Sequence, residues 1–296
     1  MAGRFGAVVT AMVTPFRDDD DRSLDLDRAQ EVARWLLERG TSTLVVAGTT
    51  GEGPTLSDGE KVDLWRATVE AAEGRGQVIA NSGTYDTAHS IHLTHQAEEV
   101  GCNGILAVAP YYNKPPQDGL YEHFTAIAAS TELPVVLYNI PGRTSVRIEN
   151  PTLLRLAEID NIVGVKDAVG DFNGTSELVA RAPSDFEVYS GDDMSTFALV
   201  CLGGVGVIAV SSHLAGERMA QMIELVETGD VAGGRKIHEE LIPVYKGLFA
   251  TSSPILIKAA MGLIGQQVGP PRLPLVPATD DEVAALRRAM EDAGVL

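Results

Sequence analysis

"NIVGVKD", residues 161–167, sets a lysine at the end of an unbroken apolar run. A short β-branched stretch without polar alternation predicts a strand covered on both faces, the condition of a parallel sheet packed between helices. The same pattern recurs on either side of it. Strands are predicted at 6–14, 42–48, 77–83, 104–110, 134–140, 186–191 and 204–210. Amphipathic helices are predicted between and after them, at 26–40, 58–73, 87–100, 118–131, 150–158, 173–182, 194–202 and 215–228. Ser57 with Glu60 spells a capping box, and Asn150 with Pro151 an N-cap followed by N1. Gly40, Gly74 and Gly101 fall where a left-handed cap would end a helix. Strand–helix units repeated to about eight predict an α/β fold of the closed (β/α)8 TIM-barrel type. An open doubly wound sheet has fewer units, and a nucleotide-binding one carries a glycine fingerprint after its first strand. No such fingerprint follows 6–14.

Beyond residue 229 the strands stop. Helices are predicted at 230–250, 253–264 and 280–294, with an extended Pro-rich linker "GPPRLPLVP" at 269–277. The division expected is a catalytic barrel, 1–229, and a small C-terminal helical domain, 230–296.

The 296 residues are 45% hydrophobic and 22% charged, with a formal net charge of −18. This suits a full core and argues against disorder. So acidic a surface repels nucleic-acid phosphates and anionic lipid heads, and neither is an expected partner. It also repels anionic substrates at long range, so an acid-binding pocket must supply its own donors or positive charge. Cys102 and Cys201 form no disulfide framework and read as small buried residues. Residues 1–15 lack a basic stretch followed by a long apolar run, and no segment approaches the roughly 18 apolar residues that span a bilayer. A soluble, cytoplasmic protein is expected.

In a TIM barrel the chemistry sits at the C-terminal strand ends. The second strand runs into Gly48, Thr49, Thr50, Gly51 and Glu52, and the fourth leads to Tyr111 and Tyr112. The fifth carries Tyr138 and leads to Arg143, the sixth ends in Lys166, and the seventh in Gly191, Asp192 and Asp193. A lysine on a buried strand is costly to keep charged, and burial lowers its pKa toward a neutral amine able to attack a carbonyl. On position alone, Lys166 reads equally well as half of a structural salt bridge with Asp167 or Glu52. The hydroxyls and backbone N–H groups of Thr49 and Thr50 suit a small carboxylate. The Tyr138 phenol can relay protons at the same barrel mouth. Arg143 can clamp a carboxylate in bidentate fashion.

Other chemistries find less support. His89, His92 and His95 share one helix, but that helix belongs to the outer ring, so no metal is expected there. The acidic run at 18–21 reads as a solvated loop. There is no H-E-x-x-H, paired C-x-x-C or P-loop, and Gly203, Gly204 and Gly206 precede a strand rather than follow one. What survives is a lyase that uses a lysine imine and no metal or organic cofactor. A non-catalytic barrel that binds a small acid is the alternative from a different class.

"GTTGE" (48–52), "PYYNKP" (110–115), "YNIPGRT" (138–144), "GVKDA" (164–168), "SGDD" (190–193), "PILIK" (254–258) and "PRLPLVP" (271–277) occur in this order. Together they resemble the class I pyruvate-dependent aldolase/lyase superfamily, and most closely its dihydrodipicolinate synthase family. The resemblance implies that Lys166 forms a Schiff base with pyruvate, whose enamine attacks L-aspartate 4-semialdehyde in lysine and diaminopimelate biosynthesis. It implies Tyr138 as the central proton-transfer group, linked through Thr49 to Tyr112, which enters from a neighbouring subunit. Thr50 would bind the pyruvate carboxylate and Arg143 the semialdehyde carboxylate, while the backbone at Gly191 and Ile208 would line the lysine's surroundings. A shared tyrosine implies a homo-oligomer, with a tetramer built from dimers as the family's common form. N-acetylneuraminate lyases and 2-keto-3-deoxy sugar-acid aldolases are the related alternatives. "GTTGE" paired with Arg143 favours the synthase. The family's feedback site for L-lysine lies near Tyr111. Here Asp58, Lys61, Tyr85 and His89 occupy it, with a histidine where responsive members carry an acid, so weak or absent inhibition is expected.

Overall fold

The computed structural model describes residues 3–296. Its strands are β1 (Val8–Ala11), β2 (Thr43–Val46), β3 (Gln77–Asn81), β4 (Gly104–Val108), β5 (Val135–Asn139), β6 (Ile162–Asp167), β7 (Glu187–Ser190) and β8 (Gly206–Ala209). Each pairs in parallel with the next, and β8 returns to β1, closing the barrel predicted from the repeat. Around it run α1 (Leu26–Leu37), α2 (Asp58–Ala72), α3 (Thr87–Glu99), α4 (Gln117–Ala128), α5 (Pro141–Thr144), α6 (Asn150–Leu156), α7 (Phe172–Arg181), α8 (Thr196–Cys201) and α9 (Ser212–Glu227). The chain continues into α10 (Val231–Leu248), α11 (Ile255–Leu263) and α12 (Asp280–Asp292). No helix is long and apolar enough to cross a membrane among the described residues.

The continuous apolar strands serve two separate cores. Val9, Val45, Ile79, Leu106, Val136 and Ile208 point inward and fill the barrel. Neighbours such as Val8, Leu44, Val78, Ile105, Val135 and Val207 point outward into the layer beneath the helices. Side chains alternate with a period of two, so both faces must be apolar when both are buried. Between β5 and β6 the register slips by one residue: Val135 faces Ile162, but Val136 faces Gly164. That bulge sets Gly164 and Lys166 on the inner face. A Cβ on Gly164 would lie 2.3 Å from the carbonyl oxygen of Glu187, so this approach of β7 requires glycine.

Several boundaries differ from the sequence reading. The Ser57–Glu60 capping box is formed, and Gly40, Gly74 and Gly101 all have positive φ. Helix α6, however, starts one residue early: Glu149 is its N-cap, and the Asn150 side-chain amide donates instead to the Gly174 carbonyl of α7 at 2.8 Å. Helix α9 begins at Ser212, three residues before the predicted start, and its backbone breaks helical geometry at Ala215. Cys102 is buried, but Cys201, at the end of α8, is exposed.

Candidate active site

Lys166 and Tyr138 are register partners on β6 and β5, both on the inner face near the strands' C-terminal ends. The Lys166 Nζ lies 4.3 Å from the centroid of the Tyr138 ring. Lys166 is only 6% exposed. Above it opens a cavity of about 440 Å³, walled by Thr49, Thr50, Tyr138, Arg143, Lys166 and Gly191. Ala11, Val45 and Leu106 supply apolar lining. The barrel thus gathers most of the predicted residues around one amine.

That amine has no ion-pair partner among the described residues, although both carboxylates considered for it are close in sequence or type. Asp167 accepts instead from the backbone N–H of Val169 at 3.0 Å and the Thr175 hydroxyl at 2.6 Å. Glu52 accepts from Lys258 at 2.6 Å. Burial pulls Lys166 down from the ordinary lysine value of 10.5 to about 8, with Arg143 assisting and Asp193 opposing. Asp193 stands in the sequence among the residues that end the seventh strand, with no role attached to it. It is fully buried, and accepts from the Val210 N–H at 3.1 Å and the Ser211 N–H at 2.6 Å, and from the Ser211 hydroxyl. Its own desolvation raises its pKa. An acid directly after a barrel strand was the available signal for it.

The Tyr138 phenol is raised to about 12 by burial, while Arg143 and a hydrogen bond with the Thr49 side chain draw it down. It therefore stays protonated near neutrality, suited to hand protons through a hydroxyl neighbour. Thr49 and Thr50 sit in a turn with left-handed backbone at Ala47 and Glu52. Within it the Glu52 N–H donates to Thr49 O at 3.1 Å and the Gly53 N–H to Gly48 O at 3.0 Å. The Thr14 hydroxyl holds Gly51 O at 2.6 Å. Arg143, expected in a loop, stands in the single-turn helix α5, begun by Pro141.

Two predicted residues lie elsewhere. Ile208 is buried inside the barrel, with its side chain in the inner core rather than in the cavity wall. Tyr112 is 94% exposed, has φ +71°, and does not line the cavity of its own chain. Its neighbour Tyr111 packs edge-on against Tyr85 with ring centroids 5.2 Å apart. Conversely, Phe249, Ser252 and Ser253, from between α10 and α11, line the cavity. The sequence pattern places that segment in the C-terminal helical domain, and its polar "TSS" between two helices was the available signal.

A second cavity, of about 230 Å³, shares Thr49 and Arg143 with the first and adds Lys61, Thr84 and Tyr111. No carboxylate lines it. His89 pairs with Asp58 at 2.9 Å, His95 faces the Ser130 carbonyl, and His92 is exposed, so the three histidines do not converge. No group of three or more potential metal-ligating side chains is found among the described residues. The arrangement is equipped for one chemistry in particular. A desolvated amine can add to the carbonyl of a small acid, with a phenol and hydroxyl to move protons and threonine and arginine to hold carboxylates.

The comparisons with known proteins point the same way. The family model described as "Dihydrodipicolinate synthetase family" matches residues 4–293. A 4-hydroxy-tetrahydrodipicolinate synthase of Desulforudis audaxviator is 49% identical over 292 residues, 99% of each chain. A dihydrodipicolinate synthase from Cyanidioschyzon merolae, solved with lysine bound, matches with a TM-score of 0.97 at 41% identity, over 99% of this chain and 100% of that one. One from Bacillus anthracis matches with a TM-score of 0.94 at 44% identity, over 98% of each. With the match running almost end to end, the chain belongs to the dihydrodipicolinate synthetase family.

Proposed function

We propose that this enzyme condenses pyruvate with L-aspartate 4-semialdehyde through an imine on Lys166, the activity named for its relatives. The observation that carries the reading is the buried Lys166 amine, without an ion pair and with its pKa drawn to about 8, opening onto a cavity with Tyr138, Thr49, Thr50 and Arg143. The neutral Nζ adds to the keto carbon, and the carbinolamine loses water to give the imine. Loss of a methyl proton gives the enamine, whose carbon attacks the aldehyde. The semialdehyde's own amine then adds to the imine carbon, closing the ring and releasing Lys166.

In this reading Tyr138 and Thr49 carry protons to and from the carbinolamine. Thr50 and its turn hold the pyruvate carboxylate, and Arg143 receives the semialdehyde carboxylate. The backbone at Gly191 and Ile208 shapes the lysine's surroundings. Tyr112 completes the relay from a second subunit; its exposure and left-handed backbone fit a side chain held out toward a partner. The protein is then a cytoplasmic homo-oligomer, a tetramer built from dimers. Its catalytic barrel spans 1–229 and its helical extension 230–296. Sialic-acid and sugar-acid cleavage are not favoured, since relatives named for the synthase match along the whole chain.

The test is mass spectrometry after pyruvate and borohydride. A reduced pyruvyl adduct on Lys166, absent in Lys166→Met, is the expected result. Folded protein that takes no label refutes the imine. Side-by-side turnover of aspartate semialdehyde, sialic acid and 2-keto-3-deoxy sugar acids then checks the substrate.

A further inference from the structure

The turn that presents Thr49 and Thr50 ends in a carboxylate sealed inside the protein. The side chains of Glu52 and Lys258 are 0% and 2% exposed, and the Lys258 Nζ donates to Glu52 Oε1 at 2.6 Å. The other oxygen, Oε2, accepts from the backbone N–H of Arg272 at 2.8 Å. Lys258 belongs to α11 and Arg272 to the Pro-rich linker, so both donors come from the tail, more than 200 residues along the chain. Their positions are fixed in turn. Lys258 also donates to Pro270 O at 3.2 Å. The Arg272 guanidinium reaches Glu60 Oε1 at 2.6 Å, Thr55 O at 3.1 Å and Arg22 O at 2.9 Å. Both cations stand 4.3 Å from the centroid of the Phe16 ring.

Glu52 adopts the left-handed conformation, φ 54° and ψ 32°, without being glycine. Such a residue persists where its surroundings over-determine it. Behind it, a Cβ on Gly53 would lie 2.1 Å from Ala47 O, so the turn closes tightly on itself. A turn this compact moves as a unit, and the only charged anchor it possesses is the Glu52 carboxylate. A lone buried ion pair is weak as a stabiliser, since desolvation offsets most of its attraction. Its directional bonds do fix geometry, however.

We propose that Glu52, Lys258 and the Arg272 backbone act as positioning residues, through which the C-terminal tail sets where Thr49 and Thr50 stand relative to Lys166. This rests on the imine reading above. The consequence is a selective defect. Loosening the anchor displaces the groups that hold the pyruvate carboxylate, whereas Arg143 stands on α5, whose turn is closed by its own backbone, the Arg143 N–H donating to Ile140 O at 3.0 Å.

The test compares wild type, Lys258→Met and the double variant Glu52→Met with Lys258→Met. Three quantities are read: thermal midpoint, borohydride labelling with pyruvate, and the KM for each substrate. Misplacement of about 1 Å costs up to about a hundred-fold in such sites. The pyruvate KM should therefore rise about ten-fold or more in both variants, with the semialdehyde KM within about two-fold of wild type. The double variant leaves no lone buried charge and should recover the thermal midpoint lost in Lys258→Met, yet keep the raised pyruvate KM. Recovery of that KM together with the midpoint, or a KM unchanged in either folded variant, overturns the positioning role. If Lys258→Met does not fold, the double variant decides alone by the same criterion. A wild type that takes no label overturns the imine reading and this inference with it. A wild type that labels beside variants with normal pyruvate KM overturns this inference only.

Discussion

The pH dependence of imine formation separates a desolvated Lys166 from an ordinary one. With a pKa of about 8, the uncharged amine is about a tenth of the enzyme at pH 7 and about nine-tenths at pH 9. The initial rate of imine formation at low pyruvate should therefore rise about ten-fold across that interval and then level off. An amine at the ordinary 10.5 would instead gain about a hundred-fold over the same range and still be climbing at pH 9. Pyruvate stays ionised throughout, so the curve reports the enzyme. The assay mixes enzyme and pyruvate at each pH, quenches after a short interval into borohydride at one fixed pH, and counts the Lys166 adduct by mass. Asp193 provides an internal check. Its carboxylate opposes the lowering of the Lys166 pKa, so Asp193→Asn should move the midpoint to lower pH. A hundred-fold rise without a plateau would refute the desolvated amine, and a midpoint moving upward in Asp193→Asn would refute the sign of the interaction.

Three further outcomes follow. Lowering a lysine from 10.5 to about 8 corresponds to about 3 kcal/mol held against the folded state at neutral pH, because the unfolded chain binds that proton more tightly. Lys166→Met should thus unfold at higher temperature or denaturant than wild type, with the gain largest below pH 8 and fading as pH rises toward 10.5; a less stable variant would mean the ammonium has a partner. Arg143→Ala should raise the semialdehyde KM about ten-fold or more while borohydride labelling by pyruvate survives, and equal loss of both would place Arg143 with the pyruvate. L-Lysine should leave turnover unchanged at millimolar concentration, because the cavity beside Tyr111 is lined by Lys61 and Arg143 and by no carboxylate, and His89 is taken up by Asp58; half-inhibition below about 1 mM in a dose-response assay would reject this.

What the sequence disclosed was set by period and position. Eight apolar runs punctuated by capping signals suffice for a closed barrel, and strand ends name the residues at its mouth. The Lys166–Tyr138 pairing was visible because the two residues stand at matching places on consecutive strands. The bulge at Val163 was not visible, since nothing in "NIVGVKD" marks where β5 slips. Asp167 and Glu52 looked as suited to Lys166 as any carboxylate, and only the fold shows each engaged with other donors. The tail's share of the cavity was marked only by the polar "TSS" at 251–253, which does not say where the segment packs. Phe249, Ser252 and Ser253 reach it through a contact between segments separated by most of the chain, which local pattern does not encode.

Burial alone does not make a nucleophile, and this chain contains its own control. Lys258 and Lys166 are both buried, and both are lowered to about 8 mainly by desolvation. Lys258, however, lies 2.6 Å from a carboxylate, donates again to a backbone carbonyl, and lines neither cavity described above. Each of its bonds must be broken before the lone pair can attack. Lys166 has a phenol ring, a hydroxyl relay and a cavity of about 440 Å³ in place of those bonds. The difference arises from what the barrel puts opposite each amine: an acid carried by a strained turn in one case, and room for a keto acid in the other. If both lysines took the borohydride label at comparable rates, solvent exposure in some open state, and not the arrangement of the barrel mouth, would be governing reactivity.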